Sequence, residues 1–198
     1  MKLLFAPASP FVAKVRLAAR HLGIVLECIP VDAVAEQELL ICNNPLGKIP
    51  CLMMDDGRSV YDSRTIMRVF DRISGGRLFP AEDESLGDVE RLEALCDGMN
   101  DCAVAAQYEL RMRPEEKVHQ PWFDRQWGKV VRGLDYLNGN LPSLESDLYA
   151  GHFALAALTG YLDLRYEGKW QQGCENLVAW QGAFADKMPA WQELKPKV

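Results

Sequence analysis

The stretch from Asn43 to Thr65, NNPLGKIPCLMMDDGRSVYDSRT, constrains the fold more than any other part of the chain. Two short apolar-leaning runs, Cys51–Met54 and Ser59–Tyr61, flank Asp55-Asp56-Gly57, so an antiparallel hairpin with glycine supplying the positive φ is the economical reading. Pro50 opens the first run. A proline has no N–H to give to a strand ladder, so at a strand's first residue it marks an edge or a loop left unpaired. Ile49, just before it, then keeps a backbone N–H and C=O free to pair with an extended, peptide-like group.

Asp62-Ser63 precedes the helical-period run Ile66, Met67, Val69, Phe70 and Ile73, which puts a carboxylate and a hydroxyl at a helix N-terminus. As a plain N-cap the pair needs no function. The same end, with free N–H groups and the positive end of the dipole, is also a carboxylate-binding site. Both readings stand on the residues alone.

Upstream, Lys2–Ala6 reads as a short strand, and Pro10–Leu22 as a helix with Phe11, Val15, Ala18, Ala19 and Leu22 at helical spacing, ended by Gly23. Ile24–Val31 reads as a second strand and Val34–Cys42 as a short helix. With the hairpin and a helix over Ser63–Ile73, the order is βαβαββα, a thioredoxin-like arrangement. Ser9-Pro10 at the first strand-helix junction is a standard helix start, Ser9 as N-cap and Pro10 at the first helical position.

After Ser74-Gly75-Gly76 the composition shifts. Residues 77–87, RLFPAEDESLG, form a proline-containing acidic connector, and no strand pattern follows. Val89, Leu92, Cys96, Met99, Ala103, Ala106 and Leu110 repeat at spacings of three and four, predicting a long helix with a narrow apolar stripe. Further helices are predicted over Trp122–Leu137, Tyr149–Tyr166 and Leu177–Lys187, the third apolar nearly all round and therefore buried. The expected architecture is an α+β two-domain protein: residues 1–76 thioredoxin-like, 77–87 linker, 88–198 an all-α helical bundle.

Net charge is −6 with a pI near 5.1, which disfavours a nucleic-acid groove or an anionic membrane surface. The imbalance is uneven. Residues 1–76 hold nine Lys/Arg against eight Asp/Glu, and residues 77–198 hold thirteen against twenty. Six cysteines are scattered without a C-x-x-C or any Cys/His spacing suited to zinc, so no metal site is expected and the thiols read as reduced, small apolar residues. In MKLLFAPASPFVAKVR, Pro7 and Pro10 interrupt the apolar run and Lys14 and Arg16 follow it, so a leader peptide is not expected. No apolar stretch approaches the ~20 residues of a membrane span.

NPLGKIP, a hairpin and a DS pair opening a helix together resemble the glutathione-binding half of the cytosolic glutathione transferase superfamily, and the resemblance extends over essentially the whole chain. It implies a cis proline at Pro50, backbone pairing of Ile49 with the cysteinyl unit of glutathione, Asp62 and Ser63 on the γ-glutamyl carboxylate, and Lys48 on the glycyl carboxylate, although Lys48 also reads as a solvated loop lysine. Ser9 falls where serine-type members keep the hydroxyl that activates the thiol. Glutathione is then a co-substrate, with no metal. The electrophile, a small hydrophobic molecule, is implied to lie near Ala8, Phe11, Tyr108 and Met112. The resemblance further implies a cytoplasmic homodimer with the long helix in its contact, Asp97 or Asp101 being able to reach a neighbour's glutathione. Alternatives on the same scaffold are a glutathione-dependent isomerase and a non-enzymatic interaction or ligand-binding protein. One departure stands out: where the family begins its buried helix with a Ser/Thr cap and an Asp three residues on, this chain has Tyr149 and His152, so the capping box is expected to be lost and His152 to be structural. Asp163 is read as structural too.

Overall fold

The computed structural model describes residues 1–198. Its sheet is built around β1 (Lys2–Phe5), which pairs in parallel with β2 (Glu27–Pro30) and antiparallel with β3 (Cys51–Met53); β3 pairs antiparallel with β4 (Ser59–Tyr61), giving the order β2-β1-β3-β4. Successive side chains of a strand point to opposite faces. Leu3 and Leu52 therefore go to the large core shared with α1 (Pro10–Leu22) and α3 (Ser63–Ser74), while Leu4 and Cys51 join Val31 and Leu40 beneath α2 (Glu38–Asn43). Both faces of β1 are covered, and Leu3 and Leu4 are fully buried.

The expected βαβαββα order is present, with shorter elements. The second strand begins at Glu27 rather than Ile24, because it is only as long as its partner β1, and Val25 stays in solvent. The short helix begins at Glu38 rather than Val34. Residues 33–35 turn instead on Asp32, whose Oδ1 accepts from the N–H groups of Val34 at 2.8 Å and Ala35 at 3.2 Å, and Leu40 is the one residue of this helix that is buried.

The remainder is helical: α4 (Asp83–Met112), α5 (Gln120–Gly139), α6 (Ala150–Tyr166), α7 (Glu175–Lys187) and a single turn, α8 (Trp191–Leu194), which the sequence pattern did not reveal. The start of α4 lies inside the acidic stretch after Pro80, whose Asp83 and Glu84 sit favourably against the positive end of the helix. The predicted stripe is buried at Cys96, Met99, Ala103 and Ala106, but Leu110 is exposed, and a polar stripe of Glu93, Asp97 and Asn100 is buried beside it. As expected, α6 is the axis of the bundle, buried from Ala150 through Leu162. It approaches α4 so closely that a Cβ at Gly151 would stand 2.9 Å from Leu92 Cδ2.

The helix start at Tyr149 corrects one expectation. The His152 ring accepts from the Tyr149 N–H through Nδ1 at 3.0 Å, so half of the capping box survives with histidine in place of the acid. Nε2 lies 3.0 Å from the Ser143 carbonyl, which fixes the neutral tautomer with the proton on Nε2. Both nitrogens are occupied, and His152 is structural as read. Asp163 is structural as well, accepting from Trp170, Gln171 and Gln181.

Burial holds His152 below the ordinary imidazole value of 6.5. The unfolded chain therefore takes up a proton at a higher pH than the folded one, and stability falls as pH drops below about 6.5, levelling off once the folded ring also protonates. The expected outcome is that denaturant midpoints decline between about pH 7 and pH 5, with a visibly flatter profile over that range in His152→Gln.

Candidate functional site

The register of the sheet brings three separate segments to one end. β1 and β4 run toward that end and β3 starts from it, so the loop after Phe5, the approach to Cys51 and the residues after Tyr61 all emerge together. Continuing the β1–β3 register beyond Leu4 and Cys51 places Ile49 level with Ala6. α1 and α3 both begin there. Two helix N-termini, with their positive dipole ends, thus lie at the same end of the sheet.

At the first of them, Ser9 is the N-cap of α1: its Oγ accepts from the Val12 N–H at 3.3 Å and its carbonyl from Ala13 at 3.1 Å. The hydroxyl proton has no acceptor in the chain. Pro10 has no N–H, and that of Phe11 has no partner, so one backbone donor and one hydroxyl donor remain open at the mouth of α1.

The Ile49–Pro50 peptide is cis, and the N–H and C=O of Ile49 make no hydrogen bond within the chain. The loop presenting them is held by Asn44, which is buried: its Nδ2 donates to the Lys48 carbonyl at 2.7 Å, its Oδ1 accepts from the Leu46 N–H at 3.1 Å, and its own carbonyl accepts from Gly47 at 2.8 Å. Gly47 sits at φ 61, a backbone region that suits glycine. Lys48 is exposed and makes no ion pair. Cys51 follows on the buried side; burial pushes its thiol up to about 11, and its Sγ lies 3.6 Å from the Asn43 carbonyl.

At the second helix, Asp62 is the N-cap of α3 at φ 64, ψ 131, its Oδ1 accepting from the Arg64 N–H at 2.8 Å. A non-glycine residue at such an angle costs of order 1–3 kcal/mol and tends to mark functional sites. Ser63 is buried, yet its N–H and hydroxyl have no partner in the chain.

Behind these loops lies a charge cluster, buried except for a half-exposed Arg64, that the sequence pattern did not show. Lys14 of α1, 1% exposed, reaches Glu93 Oε1 at 3.0 Å and Asp97 Oδ2 at 2.7 Å, both on α4, and Arg64 Nε of α3 meets the same Asp97 oxygen at 2.8 Å. Asp97 therefore faces its own chain and is not free to cross to a neighbour. Burial pushes Glu93 upward, opposed by Lys14. A lysine on the apolar face of α1, one turn before Ala18, was the available signal. Asn44 was foreshadowed by the Asn-Pro-x-Gly turn composition around it.

Of the residues expected around an electrophile, Ala8 and Phe11 are half-buried in and just after the β1–α1 loop, while Tyr108 and Met112 are exposed one turn apart at the end of α4. A cavity of about 510 Å³ lined by His21, Arg77, Glu82, Asp147 and Tyr149 lies at the opposite end of α1 and takes no part in this arrangement.

Removing one partner of a buried ion pair strands the other, at about 3–5 kcal/mol. Lys14→Met is expected to lose stability in that range by urea titration, and Glu93→Gln clearly less, since Asp97 still meets Lys14. Asn44→Ala should cost about 1–3 kcal/mol, because the Leu46 N–H and Lys48 carbonyl lose their partners.

The family model described as "Glutathione S-transferase, N-terminal domain" matches residues 3–78. An uncharacterised GST-like protein, YibF, of Escherichia coli (strain K12) is 30% identical over 169 residues, covering 83% of each chain. Among solved structures, a glutathione S-transferase of Methylobacillus flagellatus KT with glutathione bound is 34% identical, with a TM-score of 0.90 over 99% of both chains. A glutathione transferase family member of Pseudomonas fluorescens Pf-5, also with bound glutathione, is 33% identical, with a TM-score of 0.91 over 100% of this chain and 99% of its own. Together with the cis Ile49–Pro50 edge set between two helix N-termini, these matches show that the chain belongs to the glutathione S-transferase family.

Proposed function

We propose that the protein is a glutathione transferase that activates the glutathione thiol for attack on small hydrophobic electrophiles. Glutathione lies along Ile49-Pro50 as an added strand, its cysteinyl backbone pairing with the open N–H and C=O of Ile49. Its γ-glutamyl carboxylate takes the Ser63 N–H and hydroxyl at the positive end of α3. The Asp62 carboxylate would repel that group and instead suits the neighbouring ammonium. Lys48 meets the glycyl carboxylate. The observation that carries the reading is the convergence, at one end of the sheet, of an unpaired backbone edge and two helix N-termini with unused donors. Relatives at 33–34% identity hold glutathione.

The sulfur then faces the mouth of α1. An ordinary thiol has a pKa near ~8.5, so a mostly ionised thiol at neutral pH needs about 2 units of lowering, or roughly 2.7 kcal/mol. A hydrogen bond from the Ser9 hydroxyl to the thiolate contributes ~1.5–3 kcal/mol and the helix dipole ~0.3–1 kcal/mol. Together they suffice without a general base. The electrophile enters between Ala8 and Phe11 on one side and Tyr108 and Met112 on the other. The protein works in the cytoplasm as a homodimer, and with Asp97 engaged in its own chain, Asp101 is the acid left on α4 to reach a neighbour's glutathione.

Millimolar glutathione is expected to raise the melting temperature by mass action, since it binds the folded state alone. Ser9→Ala is expected to retain that shift while raising the pKa of the bound thiol by about 1–2 units, followed by thiolate absorbance, and to slow addition to a generic aryl halide about 10- to 100-fold at neutral pH. An unchanged thiol pKa and rate in the variant would remove Ser9 from the mechanism.

A further inference from the structure

The far ends of α4 and α6 hold two guanidinium groups that the chain does not neutralise. Arg165, in the last turn of α6, has its Nε buried without a hydrogen-bond partner. Buried polar groups are seldom left so. Arg111, in the last turn of α4, is exposed and has no ion pair. The acids nearby are occupied elsewhere: Glu109 accepts from Arg113 and from the His119 N–H, both at 3.0 Å, and Asp163 accepts from Trp170, Gln171 and Gln181. Glu167, exposed beyond α6, pairs with neither arginine.

Hydroxyls accompany the cations. Tyr161 lies one turn before Arg165 on α6, with Arg165, Arg111 and Tyr108 all within electrostatic range of its phenol. Burial pushes that phenol up to about 12, so it remains a proton donor at neutral pH.

Arg165 and Tyr161 lie toward the same end of α6 that is tied to the mouth of α1. His21 and Phe153 are in ring contact at 5.3 Å, at the far end of α1 and near the start of α6. From there Ser9 lies about 18 Å back along α1, and Arg165 about the same distance onward along α6, at ~1.5 Å per residue. The C-terminal segment ties the same level together: Pro196 packs where a Cβ on Gly160 would come within 2.9 Å, and the Lys197 N–H donates to the Pro7 carbonyl at 3.1 Å.

We propose that the electrophile carries a carboxylate, held by Arg165 and Arg111 with the Tyr161 and Tyr108 hydroxyls, while its apolar body lies against Met112. This rests on the transferase reading and narrows it from any small hydrophobic electrophile to an acidic one. In the reaction the glutathione thiolate attacks the carbon bearing the leaving group. The C–S bond forms, the bond to the leaving group breaks and that group departs with the electron pair; the thiol proton has gone to solvent and the carboxylate is unchanged. A planar guanidinium is suited to gripping a carboxylate through two N–H groups.

The test compares two glutathione conjugates of equal shape, S-(4-carboxybenzyl)glutathione and its uncharged S-(4-carbamoylbenzyl) isostere, by titration calorimetry. The wild-type protein is expected to bind the carboxylate at least about tenfold more tightly. Arg165→Gln should bring the two affinities within about twofold, Arg165→Lys should restore part of the difference, and affinity for unsubstituted glutathione should not move in either. Arg111→Gln, at an exposed position, gives a second variant should Arg165→Gln fail to fold, and should shrink the preference. Equal affinities in the wild type, or a preference that survives in the arginine-to-glutamine variants, overturn the inference. Failure of unsubstituted glutathione to bind would instead overturn the transferase reading beneath it.

Discussion

Four residues, Lys2–Phe5, set the position of everything at the candidate site. Because β1 is covered on both faces, a one-residue slip against β3 would exchange Leu3 for Leu4 and send each into the wrong core. The register is therefore pinned by burial rather than by any feature of the loops. Once pinned, it dictates that the segments carrying Ser9, Ile49 and Asp62 emerge at the same end of the sheet. The hydrophobic term, non-directional in itself, here fixes a directional arrangement of backbone donors through the alternation of the strand.

The cluster of Lys14, Glu93, Asp97 and Arg64 does for the helices what β1 does for the strands. The cations come from the two helices that begin at this end of the sheet and the acids from α4, and Asp97 Oδ2 is shared by cations from both. Such a pairing is a weak source of net stability, since desolvation of the charges offsets most of their attraction. Its value is geometric. α1 and α3 are each located relative to α4, and hence relative to each other, by bonds between 2.7 and 3.0 Å.

Much of this was legible in the chain itself, for identifiable reasons. Pro50 before a hairpin, Gly23 and Gly75 after apolar-periodic runs, and the all-round apolar pattern of α6 are local signals, and the elements fall where they point. Boundaries were less legible where tertiary partners decide them: β2 is as long as β1 permits, and the helix after Val34 is shortened by the turn on Asp32. The charge cluster was hidden because its members lie 79 or more residues apart across the Lys14 contacts, and no periodicity connects them. The angle at Asp62 was hidden for another reason, since it is a property of the backbone that aspartate tolerates without announcing it.

Cys51 adds a chemical consequence. It follows the cis Ile49–Pro50 link with its side chain buried in the small core beside Leu4, Val31 and Leu40, and at neutral pH its thiol stays protonated. Thiol–disulfide exchange needs an attacking thiolate with access to the disulfide sulfur. An oxidised tripeptide lodged along the edge would therefore find a masked sulfur beside it, and could come and go without becoming covalently trapped.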